Sequence, residues 1–101
     1  MSDAFDALAH PVRREILKLL RTRPTSAGEI AKHFTITKPT LSGHFAVLKA
    51  ADLVRTERRG ATIIYHLNMS VLEEAAALLL DLASGRKKER PRKWAAEPSG
   101  S

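Results

Sequence analysis

The sequence predicts a mainly α-helical domain with a small β-hairpin, an α+β fold in the order α-α-α-α-β-β-α. Three observations predict it. Apolar residues recur at helical spacing in several segments, and a stretch rich in Val, Thr, Ile and Tyr is divided by a glycine. A chain of 101 residues has room for one hydrophobic core. We expect this domain to span residues 1–85, followed by a basic, weakly ordered tail at residues 86–101.

The first two helices are predicted from apolar spacing and from a proline. Residues 3–9 form a short helix with Phe5 and Leu8 on one face. Pro11 fits the first turn of the second helix, where its missing N–H is harmless. The buried positions of that helix are Val12, Ile16, Leu19 and Leu20. The Arg23-Pro24-Thr25 segment then ends it.

The third and fourth helices begin at N-cap residues. Ser26 and Glu29 form a Ser-x-x-Glu capping box, which opens the third helix. Thr37 is a good N-cap for the fourth helix, at residues 38–51, and Pro39 fits its first turn. The buried stripe of the fourth helix consists of Leu41, Phe45 and Leu48. Two short helices joined by a tight turn predict a helix-turn-helix.

A hairpin and a final helix complete the pattern. Residues 53–58 and 61–67 are predicted strands with Arg59-Gly60 at the turn, so that residues 54–67 form a wing. Ser70-x-x-Glu73 is a second capping box, and residues 71–83 form a strongly apolar last helix. This order of elements is that of a winged helix-turn-helix.

The fourth helix presents a small, polar face opposite its buried stripe. At about 100° per residue, Pro39, Gly43 and Ala46 point away from the core. Such a helix can enter the major groove of duplex DNA, which is about 12 Å wide. The predicted DNA-contacting residues are Thr37, Lys38, Pro39, Thr40, Ser42, Gly43 and His44, with Arg58 and Arg59 at the wing tip and Arg13 and Arg14 on the second helix. One alternative is that this face of the fourth helix meets only water. The others are that the wing-tip arginines belong to a solvated turn, and that the two arginines of the second helix lie on an ordinary exposed surface.

The positive charge of the chain is unevenly distributed. A net charge of +6 suggests a polyanionic partner. However, residues 86–93 carry six of the 17 basic residues, whereas residues 1–85 hold 11 basic and 9 acidic residues. The tail either adds non-specific phosphate affinity or is a solvated extension that improves solubility. The argument for DNA binding therefore depends on the fourth helix and the wing.

The last helix is more apolar than packing on a small core requires. Its charged residues, Glu73, Glu74 and Asp81, are all acidic and suit a surface kept away from DNA. Pairing of two copies through this helix would set the two fourth helices, which are the predicted recognition helices, about 34 Å apart. The predicted interface residues on this helix are Leu72, Ala75, Ala76, Leu79, Leu80 and Ala83. The alternative is a helix fully buried in a monomer.

Several stretches of the sequence closely resemble the ArsR-type family of bacterial winged-helix repressors. They are AHPVRREIL at residues 9–17, AGEIA at 27–31, KPTLSGHF at 38–45, VLKAADLV at 47–54 and YHLN at 65–68. The likeness runs from about residue 5 to residue 83. Within the family, the chain is most similar to the branch of the sporulation-delaying autorepressor. Members of that branch lack metal-binding cysteines and repress their own operon.

The resemblance implies a homodimer, held by the first and last helices, that reads a palindromic operator in double-stranded DNA. It adds Phe5 and Leu8 to the predicted interface. Many relatives have a histidine or another larger polar residue where this chain has Gly43. A glycine within a helix costs about 1 kcal/mol relative to alanine. Gly43 either allows closer backbone approach to DNA or means one contact fewer.

Metal sensing is not expected. The chain has no cysteine, which excludes disulfides and thiolate metal sites. Metal sensors of the family use a Cys-x-Cys motif on the third helix or acidic and histidine ligands on the last, and here the third helix lacks a thiolate and the last lacks a histidine. The histidines are scattered without i,i+3 or i,i+4 spacing, at His10, His33, His44 and His66. We therefore expect no metal and no cofactor.

Other function classes are disfavoured by the sequence. The spacing of residues yields no catalytic arrangement, so we expect no enzyme. No apolar run reaches the roughly 18 residues needed to span a bilayer, and the N-terminus lacks the layout of a signal peptide. We therefore expect a cytoplasmic protein with no membrane partner. The rival function is a winged helix used only for protein–protein contact.

Overall fold

A computed structural model describes residues 3–85 and confirms the expected fold class. Five helices are present in this part of the chain: α1 (Ala4–Ala7), α2 (Pro11–Thr22), α3 (Ala27–Ala31), α4 (Lys38–Ala50) and α5 (Met69–Ser84). The strands within the same residues are β1 (Thr25–Ser26), β2 (Val54–Arg59) and β3 (Thr62–Leu67). The expected basic tail at residues 86–101 lies outside the described residues.

Local capping bonds begin most of these helices. The Ser26 hydroxyl accepts a hydrogen bond from the Glu29 backbone N–H at 3.1 Å, as the capping box predicts. The Thr37 hydroxyl likewise accepts from the Thr40 N–H at 3.3 Å, which confirms it as the N-cap of α4. Both helices of the helix-turn-helix therefore begin where their own side chains satisfy backbone donors.

The N-cap predicted for the last helix is wrong. Helix α5 begins at Met69 with Asn68 as its N-cap, and Ser70 lies inside the first turn. The start of the helix is set by tertiary contact, because the Asn68 N–H donates to the Leu53 carbonyl at 2.9 Å directly after β3 ends. A backbone bond to the residue that directly precedes β2 stands where a local side-chain cap was expected.

The third strand, β1, was not expected from the sequence. Thr25 and Ser26 pair antiparallel with Tyr65 and Ile64, so the sheet has the order β1-β3-β2. Two residues are too few to show the alternation that predicts a strand, and Ser26 already serves as a helix cap. The short strand fixes the start of α3 against the central strand of the wing.

The hydrophobic core lies between the helices and the base of the wing. Its fully buried large side chains are Ile16, Ile30, Leu48 and Leu53. Phe45 of α4 stacks on Tyr65 of β3 with ring centroids 4.5 Å apart and an interplanar angle of 28°. Burial raises the pKa of the Tyr65 hydroxyl. The aromatic pair makes α4 and the wing parts of one packed unit.

Two residues with left-handed backbone conformation turn the chain between α4 and the wing tip. Asp52 has φ of 61° directly after α4, and the Leu53 N–H returns to the Leu48 carbonyl at 3.0 Å. Gly60 has φ of 61° between β2 and β3, a conformation that glycine adopts without steric cost. The first turn directs β2 away from α4, and the second closes the hairpin.

Candidate nucleic-acid interface

The outward face of α4 is small, polar and exposed. All the predicted contact residues on this helix except His44 are exposed: Thr37, Lys38, Pro39, Thr40, Ser42 and Gly43. A Cβ built at Gly43 meets nothing within 4 Å. No described side chain therefore stands in front of the helix backbone at this position, and the surface admits a close approach by a ligand backbone or a base edge.

The first turn of α4 combines a positively charged side chain with the positive end of the helix dipole. Lys38 is the first residue of this 13-residue helix, whose N-terminus carries a partial positive charge. The Thr37 hydroxyl donates to the Thr40 hydroxyl at 3.0 Å, so the two side chains hold one another at the surface. This arrangement is suited to an anionic group such as a phosphate.

His44 lies inside the molecule rather than on the outer face. It is only 9% exposed and its ring centroid lies 4.4 Å from that of His10. Arg13 Nη1 is 3.1 Å from His44 Nδ1, and since a guanidinium only donates, His44 Nδ1 is the acceptor. Burial, followed by the nearby His10 and Arg13, lowers the pKa of His44. Two histidines that look scattered in the sequence therefore form one cluster behind α4, where His44 is neutral at pH 7.

Arg13 is tied to the end of α1. Its Nε donates to the Ala7 carbonyl at 2.8 Å and its Nη2 to the Asp6 carbonyl at 3.2 Å. Together with His44, these bonds connect α1, α2 and α4 through one guanidinium. These bonds use three of the five N–H groups of Arg13, so the structure supports a positioning role for this residue, and its DNA contact remains a prediction.

Arg14 makes a similar but more exposed contact. Its Nη1 donates to the Leu8 carbonyl at 2.8 Å, at the C-cap of α1. The side chain remains exposed. Arg14 can therefore stabilise α1 and still present its other nitrogens to a phosphate, and its DNA contact remains a prediction.

The two arginines of the wing tip lie on opposite faces of the hairpin. Arg58 is paired with Ile63 and Arg59 with Thr62, and successive residues of a strand alternate between its faces. Arg58 shares a face with Ile63 and Tyr65, whereas Arg59 lies on the other face and bonds Glu57 at 2.8 Å. The adjacent arginines therefore present different surroundings to a phosphate.

Sequence reasoning missed Glu57 and His66 at the wing. Glu57 accepts hydrogen bonds from both Arg59 and His66, and Arg55 lies two residues before it on the same face. The signal that could have found Glu57 is the Arg-x-Glu-x-Arg spacing of β2, which at a strand period of two puts the three charges on one face. His66 required the register of the hairpin.

A second surface, on α5, is apolar and exposed. Of the interface residues predicted there, Ala75 is buried within the chain and Leu72 is half-buried. Leu79 and Leu80 are 50% and 66% exposed, and Ala76 and Ala83 are exposed as well. Leu78 and Leu82, which the prediction left out, are 54% and 80% exposed. From α1, Phe5 is exposed and Leu8 half-buried.

Residues 3–85 also bear on two other kinds of partner, a metal ion and a membrane. Within this range, the His, Asp and Glu side chains come together in no group of three or more that could hold a metal ion. None of the helices in these residues combines the length and apolarity needed to cross a membrane. The expectation of no metal sensing remains a prediction about solution behaviour.

Comparisons with known proteins agree on a class of regulators. A family described as a helix-turn-helix domain matches residues 8–57. The chain is 41% identical over 81 residues to the transcriptional repressor SdpR of Bacillus subtilis, covering 80% of this chain and 90% of that protein. It is 36% identical over 73 residues to an arsenical resistance operon repressor of Staphylococcus xylosus, covering 72% of this chain and 70% of that one.

A solved structure supports the same assignment. The crystal structure of an ArsR family transcriptional regulator superposes with a TM-score of 0.73 at 28% sequence identity, over 79% of this chain and 88% of that one. These proteins are transcriptional regulators and not enzymes, as expected from the sequence.

Proposed function

The chain belongs to the ArsR family of helix-turn-helix transcriptional repressors, and on that premise we propose that it is a homodimer that represses transcription from a palindromic operator without sensing a metal. DNA binding is common to this class of regulator. We also propose that the protein represses its own operon and that it is located in the cytoplasm, where the DNA is. The dimer, the palindromic operator, autorepression and the independence from metals go beyond what membership of the family shows.

The observation that carries the proposal is the contrast between the two faces of α4. Leu41, Phe45 and Leu48 are buried, and the opposite face is built from small or hydroxyl-bearing side chains. A helix of this kind can lie deep in the major groove, with Ser42 and Thr40 close enough to bond base edges. In this proposal Lys38 and Arg58 contact flanking phosphates, which orient the protein without reading sequence.

The apolar surface of α5 supports the homodimer. Leu79, Leu80 and Leu82 are at least half exposed on one helix, and exposed leucines in a contiguous group mark a surface that is normally covered. A C2 interface covers the same patch on both copies. It would place two α4 helices about 34 Å apart, one turn of B-DNA, so that the operator should be palindromic.

The absence of cysteine supports repression that is independent of thiophilic metals. The regulated signal must therefore use other chemistry, such as a partner protein or a small ligand. Operator binding should be unchanged by arsenite, cadmium or zinc at concentrations that saturate known metal sensors. Release of the operator by any of the three would contradict this part of the proposal.

The proposal is tested by selecting bound duplexes from a random pool and measuring the affinity for the selected sequence. We expect a palindrome bound at least about 1000-fold more tightly than random DNA at the same salt concentration. Ser42→Ala should change the preferred bases, whereas Arg58→Ala should weaken binding to every duplex alike. The DNA upstream of the chain's own gene serves as the autorepression probe. If no sequence is preferred, the protein–protein alternative replaces DNA reading.

A further inference from the structure

Glu57 bonds two basic side chains at the centre of the wing. Its Oε2 accepts from Arg59 Nε at 2.8 Å, and its Oε1 accepts from Arg59 Nη2 at 3.3 Å. The same Oε1 lies 2.8 Å from His66 Nε2. The first of these contacts is also an ion pair in which Arg59 and Glu57 remain 64% and 42% exposed. Arg59 is therefore held by a bidentate carboxylate at a surface that water and other anions can reach.

The hairpin register explains why these groups meet. Residues 55, 57 and 59 of β2 lie on one face, and His66 of β3 is paired with Arg55, next to Glu57. The bonds from Arg59 and then from His66 hold the pKa of Glu57 below its ordinary value, so the carboxylate is ionised at neutral pH. Arg55, Arg59 and His66 are the charged or titratable groups on this face of the hairpin.

We propose that Glu57 competes with DNA phosphate for Arg59, and so limits the affinity of the wing for every duplex regardless of sequence. This inference rests on the proposed function, because it assigns a new role within the same DNA-binding surface. A phosphate that takes Arg59 must replace a carboxylate that is already bidentate. The gain from that exchange is smaller than the gain from capturing a free arginine.

His66 makes the exchange possible. When Arg59 leaves for a phosphate, Glu57 Oε1 keeps its bond to His66 Nε2, so the carboxylate is not left without a partner. Within residues 3–85, no carboxylate holds Arg58 in this way, and Arg58 lies on the other face. The wing therefore contains one arginine that is restrained by a carboxylate and one that is not.

The test is a double-mutant cycle on a random-sequence duplex, using Glu57→Gln, Arg59→Ala and the double variant. Glu57→Gln should strengthen binding by about threefold to fivefold at low salt, the range of an exposed ion pair. The plot of log affinity against log salt should steepen by up to about 0.9, the value for one full phosphate contact, because Arg59 is then on phosphate for more of the time. In the Arg59→Ala background the same change should have less than about a twofold effect.

The background carrying Arg59→Ala is the control for simple loss of a negative charge near the duplex. An equal gain from Glu57→Gln with and without Arg59 would show a general charge effect and overturn the inference. Weaker binding by Glu57→Gln would overturn it too, because it would mean that Glu57 prepares Arg59 for DNA. Circular dichroism and urea unfolding of each variant establish that the wing is folded.

A second variant tests the part assigned to His66. With His66→Phe, which keeps an aromatic ring but has no N–H donor, Glu57 has Arg59 as its remaining strong partner, so binding to all duplexes should weaken slightly, opposite in sign to Glu57→Gln. Stronger or unchanged binding would remove His66 from the exchange. Because the cycle uses random DNA, it distinguishes this inference from the proposed function: failure to prefer an operator leaves the cycle interpretable, and failure of the cycle leaves operator preference intact.

Discussion

Helices α4 and α5 are both amphipathic, but only α4 finds the partner for its apolar face within the chain. Leu48 of α4 is fully buried between the other helices and the base of the wing, whereas Leu82 of α5 is 80% exposed. Among the residues of α5, only Ala75 is buried. One copy of the chain therefore buries the apolar face of α4 but leaves most of the apolar residues of α5 exposed.

This difference indicates what kind of partner suits each exposed surface. The face that α4 leaves to solvent consists of hydroxyls, a glycine and a lysine, which suit a hydrated polyanion. The face that α5 leaves to solvent consists of leucines and alanines, which gain free energy only by leaving water. One chain thus carries a polar surface and an apolar surface on separate helices, which fits the proposed contacts with DNA and with a second copy.

The largest effect is expected from a matched pair of truncations, Leu48→Ala and Leu82→Ala. Leu48→Ala should cost about 3–5 kcal/mol in the free energy of unfolding, because it opens a cavity in a packed core. Leu82→Ala removes the same atoms from an exposed site and should cost less than about 0.5 kcal/mol within a single chain. Urea unfolding followed by circular dichroism measures both.

Protein concentration separates the two truncations further. The cost of Leu48→Ala should not vary with concentration, whereas any cost of Leu82→Ala should grow with it if α5 is a dimer surface. Equal, concentration-independent costs would contradict the comparison between the two helices.

The second prediction places a charge on the apolar surface of α5. Leu79→Glu should leave the helix content unchanged and convert the dimer to a monomer, because it buries a carboxylate in an apolar interface. Operator affinity should fall at least about tenfold, since the two recognition helices are no longer linked. Ala77→Glu is the matched control, because Ala77 lies on the acidic side of the helix, four residues from both Glu73 and Asp81.

Sedimentation equilibrium gives the assembly state, and gel shifts on the full operator and on one half-site give the affinities. A dimer that persists in Leu79→Glu, or dissociation by Ala77→Glu to the same extent, would show that copies pair elsewhere.

The third prediction concerns the polar cluster that His44 of α4 forms with His10 and Arg13. Helix α5 has no comparable cluster, because it contains no histidine. Folding lowers the pKa of His44, so the unfolded chain binds a proton at higher pH than the folded chain does. Stability is therefore full above the ordinary histidine pKa of about 6.5 and falls as the pH drops below it. The pH dependence of the urea midpoint from about pH 7.5 to about pH 5.5 measures this loss.

His44→Gln keeps an acceptor for Arg13 without a titrating ring, so it should flatten that decline. Glu57 does not confuse the comparison, because its pKa is lowered from an ordinary value that already lies below this interval. A variant that loses stability as steeply as the wild type would remove His44 from the acid sensitivity of the fold.

The smallest effect is expected at the exposed face of α4. Gly43→Ala should raise the free energy of unfolding by about 0.5–1 kcal/mol, because the added methyl group meets nothing and alanine favours the helix. If DNA approaches the backbone here, the same methyl group should weaken operator binding. Gly28→Ala in α3, where a Cβ also meets nothing, is the matched control. Unchanged operator binding by Gly43→Ala would mean that Gly43 serves no close approach.

Bonds that form within one helical turn could be predicted from the sequence. Ser26 and Thr37 cap helices by accepting hydrogen bonds from N–H groups three residues away. Gly60 lies in the hairpin turn, where the positive φ requires a residue with the conformational freedom of glycine. Apolar spacing likewise identified the buried stripe of α4. These features depend only on residues that are close together in the sequence. The identity and spacing of those residues are therefore enough to predict them.

The rest depended on residues that meet only after folding. Arg13 and His44 are 31 residues apart and Glu57 and His66 are nine apart, and only the packing of α4 on α2 and the hairpin register bring them together. The sequence by itself determined a winged helix-turn-helix with a polar outer helix face. The tertiary structure decided that His44 points inward, that Arg13 braces α1, that Arg59 is held by a carboxylate, and that α5 leaves its leucines exposed. The physical reason is that burial and long-range pairing depend on three-dimensional neighbours, which local periodicity does not specify.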